Sequence, residues 1–199
     1  MRNHYVPQDS LQRRRTRAQK RYSTQTIMIA VALGAAVGVI LVPVNFVLAA
    51  LTTVFPVLPT LSLGLWGMAT LMPLAVLRRG GVGIVGAAAA GFVLIVSPGA
   101  LLMVVVMALW GSLVELPFFL TRYRYFGWKM FAFAGLIPGL VSALISMHTH
   151  NLLSMNPGFA IFVSSIGMAS SIIGSLLSLG IAHSLARAGI SGGHRRDGA

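Results

Sequence analysis

The sequence predicts an all-α membrane protein with six transmembrane helices and both termini in the cytoplasm. Three observations lead there. The 199-residue chain is 56% hydrophobic and only 9% charged, where a soluble domain carries about a quarter charged residues. Its mean hydropathy is +0.84. Its fifteen Lys and Arg fall into four clusters separated by apolar runs long enough to cross a bilayer and return. The clusters are Arg2 to Arg21, Arg78-Arg79, Arg122 to Lys129, and Arg187 to Arg196. Lys and Arg accumulate in cytoplasmic loops. Six spans with both ends inside place all fifteen charges on one side, and five or seven would break that segregation.

The elements follow in order. Residues 1–24 form a basic cytoplasmic tail, expected to be disordered, with Asp9 as its single acid. Its Arg content resembles a targeting segment, but removing the first apolar run would spoil the charge alternation. We therefore expect a retained helix there and a tail drawn to anionic lipid. The transmembrane domain occupies 25–190, and 191–199 is a flexible cytoplasmic tail rich in glycine. Span 1 runs from about Thr26 to Pro43. Residues 44–60 make an outer connection, part of it an inserted helix. Span 2 runs from Leu61 to Leu77 and stops at Arg78-Arg79. Span 3 begins near Gly81 and ends at Ser97-Pro98-Gly99, a strong turn signal. Span 4 covers Ala100 to Leu120, span 5 Met130 to Met147, and span 6 Phe159 to about Leu185. No segment alternates over ten positions as a transmembrane β-strand would.

Gly and Ala recur at helical spacing. Span 5 carries Gly135, Gly139 and Ala143, and span 6 carries Gly167, Ser171, Gly174, Ser178 and Ala182. Small residues four apart let backbones approach closely, which matters in lipid because apolar burial gives no helix–helix driving force there. Span 1 has two small faces: Ala30, Gly34 and Gly38 on one, Ala32 and Ala36 on nearly the opposite one. One face suffices to join the chain's own bundle. The other is a candidate for docking a second protein.

Glu115 is the only acid between Asp9 and Asp197. It shares a helix face with Ala108 and Gly111, which points it into the bundle. A carboxylate at such depth costs roughly 2.5–3.5 kcal/mol on insertion scales. Either it carries function or it ties helices together. Trp66 and Trp110 lie within spans rather than at their ends, as core packing or as the aromatic wall of a pocket. Asn45, His148, His150 and Asn151 stand at the outer ends and suit an interfacial loop or an outward-opening pocket. The expected pocket residues are thus Asn45, Trp66, Trp110, Glu115, His148 and Asn151.

Several chemistries have no residues to carry them. Lys20 follows Gln19 and Lys129 follows Trp128, so no Walker-type ATP site exists. No catalytic set is recognisable, no metal site or cofactor is expected, and without Cys there are no thiolate ligands. The net charge of +12 sits beside an apolar span with few aromatics to stack bases, which argues against nucleic acid.

The chain resembles the YkoE-type substrate-binding subunits, or S components, of energy-coupling-factor (ECF) vitamin ABC importers. The resemblance rests on Gly-Leu-Trp-Gly (64–67) leading to Leu-Arg-Arg-Gly-Gly (77–81), and on Trp-Gly-Ser-Leu-Val-Glu (110–115) leading to Thr-Arg-Tyr-Arg (121–124). Asn-Pro-Gly-Phe (156–159) and Ser-Leu-Ala-Arg-Ala-Gly-Ile (184–190) complete it. It implies a multi-pass subunit of the bacterial plasma membrane whose domain 25–190 binds a vitamin from outside. The implied ligand is thiamine or its hydroxymethylpyrimidine portion. The implied partners are a transmembrane coupling subunit and two ATPases, with ATP hydrolysis in those partners and no enzyme activity here. Docking to the coupling subunit would use Ala32 and Ala36, with Gly34 and Gly38 as the other candidates. One departure concerns span 3. The resemblance implies acidic residues there, and Gly83 to Leu94 has none. The competing readings are an ATPase-independent six-span transporter or channel subunit, and an intramembrane scaffold.

Overall fold

The computed structural model describes residues 23–52, 54–55, 58–149 and 157–188. Both terminal tails lie outside the described residues. Seven α-helices are described: α1 (Thr24–Leu51), α2 (Leu58–Leu61), α3 (Leu63–Leu77), α4 (Val82–Val93), α5 (Leu102–Leu120), α6 (Trp128–Thr149) and α7 (Pro157–Arg187). A 3-10 turn, Leu94–Val96, extends α4.

Among the described residues, five segments are long and apolar enough to cross a membrane: Thr24–Leu51, Pro59–Leu77, Leu102–Leu120, Trp128–Ile145 and Gly158–Arg187. The sixth expected span, Val82–Val96, is apolar but shorter. Fifteen helical residues rise roughly 22 Å, against about 30 Å of hydrocarbon. Two glycines set its limits. Gly81 (φ +79°) starts it, and Gly99 (φ +110°) lies in the turn after it, both in a region that favours glycine.

Span 1 departs from the sequence expectation. The helix does not stop at Pro43 but continues to Leu51. Proline removes one backbone donor, to the Val39 carbonyl. The apolar run Val44 to Leu51 favours a continued helix, because lipid offers the backbone no other partners. Asn45 therefore sits inside α1, where its side-chain amide donates to the Leu41 carbonyl at 3.3 Å.

Helix α3 is the hub. It packs against α1, α4, α5, α6 and α7, while α1–α4, α4–α5, α5–α6 and α6–α7 are neighbouring pairs around it. Small residues permit these contacts. A Cβ placed on Gly34 would stand 2.0 Å from the Gly86 carbonyl oxygen, so α1 and α4 touch backbone to backbone. The same holds for Gly174 of α7, whose Cβ would lie 2.3 Å from the Gly64 oxygen of α3. Gly139 of α6 meets the Met168 backbone of α7 in the same way. The Ser170 hydroxyl of α7 accepts from the Gly64 N–H and donates to the Leu61 carbonyl, bridging the break between α2 and α3.

The bundle has a basic end. Arg78 and Arg79 follow α3, Arg122 and Arg124 follow α5, Lys129 opens α6 and Arg187 closes α7. Arg79 donates to Thr26 in the first turn of α1, and Arg78 shares a small cleft with His183 and Ala186 of α7. All six described basic residues thus gather where α1 begins. Phe118 packs there against Phe126 and Phe131, at 5.7 and 5.2 Å between ring centroids, holding the α5–α6 connection onto the core.

Candidate functional site

Away from the basic end the helices part around a cavity of about 380 Å³. Its walls come from the last turns of α1, the α2–α3 break, and α5, with Ser142 of α6 and Pro98 of the turn before α5. The cavity owes its α1 wall to the continuation past Pro43, which brings Asn45, Leu48, Ala49 and Thr52 to it. Trp66 reaches it from the second turn of α3 and Trp110 from the middle of α5.

The polar groups of the wall are few and mostly occupied. The Thr52 hydroxyl donates to the Leu48 carbonyl. The Ser62 hydroxyl donates to the Pro59 carbonyl at 2.8 Å. The two indole nitrogens differ: Trp66 Nε1 and Trp110 Nε1 are buried, and neither has a hydrogen-bond partner. Indole N–H is a donor only. A concave apolar site with a few placed polar groups is the usual form of a small-molecule pocket.

Of the residues expected in the pocket, Asn45, Trp66 and Trp110 meet at this one cavity. Asn151 and the side chain of His148 lie outside the described residues. Glu115 does not line the cavity. It is 2% exposed and sits at the basic end. Its Oε1 accepts from the Gly81 N–H and from the Tyr123 hydroxyl at 2.9 Å, and its Oε2 accepts from the Ile84 N–H at 3.0 Å. Gly81 and Ile84 open α4, and Gly81 has no side chain to cap it. The first N–H groups of a helix lack internal partners and carry the positive end of its dipole. Glu115 caps α4 from across the bundle, and Tyr123 ties the α5–α6 connection to the same carboxylate. Gly83 makes room, since a Cβ there would stand 2.8 Å from Oε2.

Glu115→Gln replaces one acceptor oxygen with a donor NH₂, which then faces at least one of the donors that the carboxylate accepts from, the Gly81 N–H, the Ile84 N–H and the Tyr123 hydroxyl. Hydrogen bonds to charged groups contribute about 1.5–3 kcal/mol. The variant should melt at a lower temperature yet bind ligand as the wild type does. A variant of unchanged stability and sharply weakened binding would return Glu115 to the ligand site.

The sequence left Thr52, Thr60, Ser62 and Ser142 out of the wall. Thr52, Thr60 and Ser62 were legible as hydroxyls in and beside the connection expected at 44–60. Reading α1 as finished at Pro43 hid Thr52.

The two faces of α1 divide. Gly34 and Gly38 are buried, Gly34 against Gly86 and Gly38 against Ala90 and Val93 of α4. They pack the chain's own bundle. Ala32 and Ala36 are exposed, beside the equally exposed Met28, Val39 and Ile40.

These features define a multi-helix membrane protein with a ligand-sized cavity, and the comparisons agree. The family described as "ABC-type cobalt transport system, permease component" matches residues 25–141. That is more than half of the chain, and the chain belongs to this family. A solved structure, "Crystal structure of an S-component of ECF transporter", is similar with a TM-score of 0.75 at 20% identity. The match covers 85% of this chain and 88% of that one. The fold is therefore that of an ECF S component. No curated protein matches the chain. The protein is a multi-pass component of the bacterial plasma membrane.

Proposed function

We propose that this chain is the substrate-binding subunit of an ECF-type importer that takes up a small vitamin or precursor built on an aminopyrimidine ring, thiamine or its hydroxymethylpyrimidine portion. It would work with a transmembrane coupling subunit and two ATPases. The observation that carries the reading is the 380 Å³ cavity walled by Trp66 and Trp110. Two indoles offer a flat ring a large contact area at low entropic cost. The S-component fold and the family match support the importer assignment.

The described lining weights the reading towards the neutral pyrimidine. Its polar residues are Asn45, Thr52, Thr60, Ser62, Ser142 and the two tryptophans, with no carboxylate among them. Glu115, the acid that a cationic ring would seek, is engaged at the start of α4. The family description names cobalt, but hydroxyl, amide and indole groups suit that cation poorly as ligands. Among the described residues no three His, Cys, Asp or Glu are grouped to hold a metal.

The test is calorimetric titration of hydroxymethylpyrimidine, thiamine and Co²⁺ into the purified chain, with affinity capture of the chain from its native membrane. The reading expects saturable binding of a pyrimidine and co-capture of a coupling subunit and ATPases. Tight Co²⁺ binding with no pyrimidine binding would overturn the vitamin assignment. Capture without ATPases would favour the ATPase-independent transporter.

A further inference from the structure

Trp66 and Trp110 line the cavity as apolar surface only, because both indole nitrogens are buried. Hydrogen bonding to anything inside falls to the amide and hydroxyl side chains of the wall. Three of these, Asn45, Thr52 and Ser62, share one feature: each already donates to a backbone carbonyl. The Asn45 amide donates to Leu41 at 3.3 Å, the Thr52 hydroxyl to Leu48, and the Ser62 hydroxyl to Pro59 at 2.8 Å. A carbonyl can only accept. The direction of each bond is therefore fixed, and with it the orientation of the Asn45 amide, whose NH₂ end must be the one at Leu41.

What these groups keep is the capacity to accept. A hydroxyl has one proton and two lone pairs. With the proton spent, Thr52 and Ser62 present lone pairs, and Asn45 keeps its Oδ1 and one N–H. Ser142 of α6, which makes no such bond among the described residues, adds one hydroxyl able to donate. A ligand N–H or O–H that meets Thr52 or Ser62 gains a bond and breaks none in the protein. A ligand carbonyl would have to turn the hydroxyl away from its backbone partner, exchanging one bond for another. The wall thus rewards each well-placed donor by about tenfold in affinity and each acceptor hardly at all. Its acceptors are also spread out. Asn45 and Thr52 lie two turns apart on α1, a rise of roughly 10 Å, and Ser62 comes from the α2–α3 break. One donor group cannot serve them all.

We propose that Asn45, Thr52 and Ser62 form an acceptor wall, and that the substrate is a small ring carrying N–H or O–H donors at two separate points of its rim. A pyrimidine with an amino and a hydroxymethyl substituent has that form. Its ring nitrogens ask little of the protein, and the remaining Asn45 N–H and the Ser142 hydroxyl can serve them. A ring with carbonyl or alkyl groups in place of the two donors leaves the wall's oxygens without partners and is selected against. This deepens the reading of the cavity as the substrate site and rests on it.

The experiment titrates three probes into the full chain in nanodiscs. One is hydroxymethylpyrimidine. In the second a methyl group replaces its amino group, and in the third a methyl group replaces its hydroxymethyl group. Each replacement removes one donor group from an otherwise similar ring. Calorimetry is run on wild type and on the triple variant Asn45→Leu, Thr52→Val, Ser62→Ala, with thermal melting to show that the variant folds. Wild type should bind each methyl analogue about tenfold more weakly than the parent, near the worth of one hydrogen bond. The triple variant should bind all three probes alike. If it does not fold, the three single variants carry the comparison, and at least one must close the gap between the parent and an analogue. Wild type binding all three probes equally, or gaps that persist undiminished in every folded variant, would overturn the acceptor wall while the substrate site stands. If no probe binds wild type, the pyrimidine substrate class fails and the acceptor wall falls with it. Co-capture of the ATPases reports on the importer assignment separately.

Discussion

Replacing Gly34 with leucine is expected to leave no correctly packed bundle. Gly34 of α1 and Gly86 of α4 meet so closely that even an alanine Cβ would stand 2.0 Å from a backbone oxygen. No rotamer relieves that overlap, because the clash begins at Cβ and its partner is backbone. Gly86 cannot retreat either, since its own Cα faces Pro73 and the Ala69 carbonyl of α3. Overpacking a well-filled core costs about 1–3 kcal/mol where side chains can adjust, and here helices must separate. In lipid the added methyl groups gain nothing by being buried, so nothing offsets the strain. Gly34→Leu should be recovered in low yield, elute heterogeneously in detergent and lack a cooperative melt. A monodisperse variant with the wild-type melting temperature would show that α1 and α4 are not seated as described.

Much of the fold was legible because its signals are local. The basic clusters mark one end of the bundle, and the described basic residues do gather there. The turn Ser97-Pro98-Gly99 and the pair Arg78-Arg79 bounded their helices correctly. Pro43 misled because proline weakens a helix by one hydrogen bond without ending it where lipid leaves the backbone no alternative. Glu115 was correctly turned inward by its face with Ala108 and Gly111. Its partner was not legible, because that partner is the start of another helix 31 residues away in sequence. One clue was available: Gly-Gly-Val-Gly opens α4 with no Ser, Thr, Asp or Asn to cap it, so its first N–H groups need an acceptor from elsewhere. That Trp66 and Trp110 share a cavity depends on α3 lying beside α5, which no periodicity encodes. The inward face of span 1 was hidden for a related reason. In a soluble helix polarity marks the outward face, but both faces of α1 are apolar, so only the contact with α4 distinguishes Gly34 and Gly38 from Ala32 and Ala36.

That distinction yields the second large effect, on the opposite face of the same helix. Ala32→Leu combined with Ala36→Leu should abolish uptake while leaving the isolated protein as stable as wild type. Both alanines are exposed among Met28, Val39 and Ile40, so leucine there meets only lipid and no core contact is lost. If this face docks to a coupling subunit, the short side chains are what let the two backbones approach. Leucine would hold the helices apart and remove the packing on which association in lipid depends. The cavity is lined from α1 only by residues at Asn45 and beyond, at least two turns away, so pyrimidine binding should be unchanged. The readouts are substrate accumulation in cells, co-capture of the ATPases, and calorimetry on the purified subunit. Loss of uptake together with lost ligand binding would mean that the substitutions damage the site itself. Wild-type uptake would place the docking surface on another helix. The contrast with Gly34→Leu makes the test sharp: one residue type, introduced two positions apart on one helix, should unfold the bundle from one face and disconnect an intact subunit from its partners on the other.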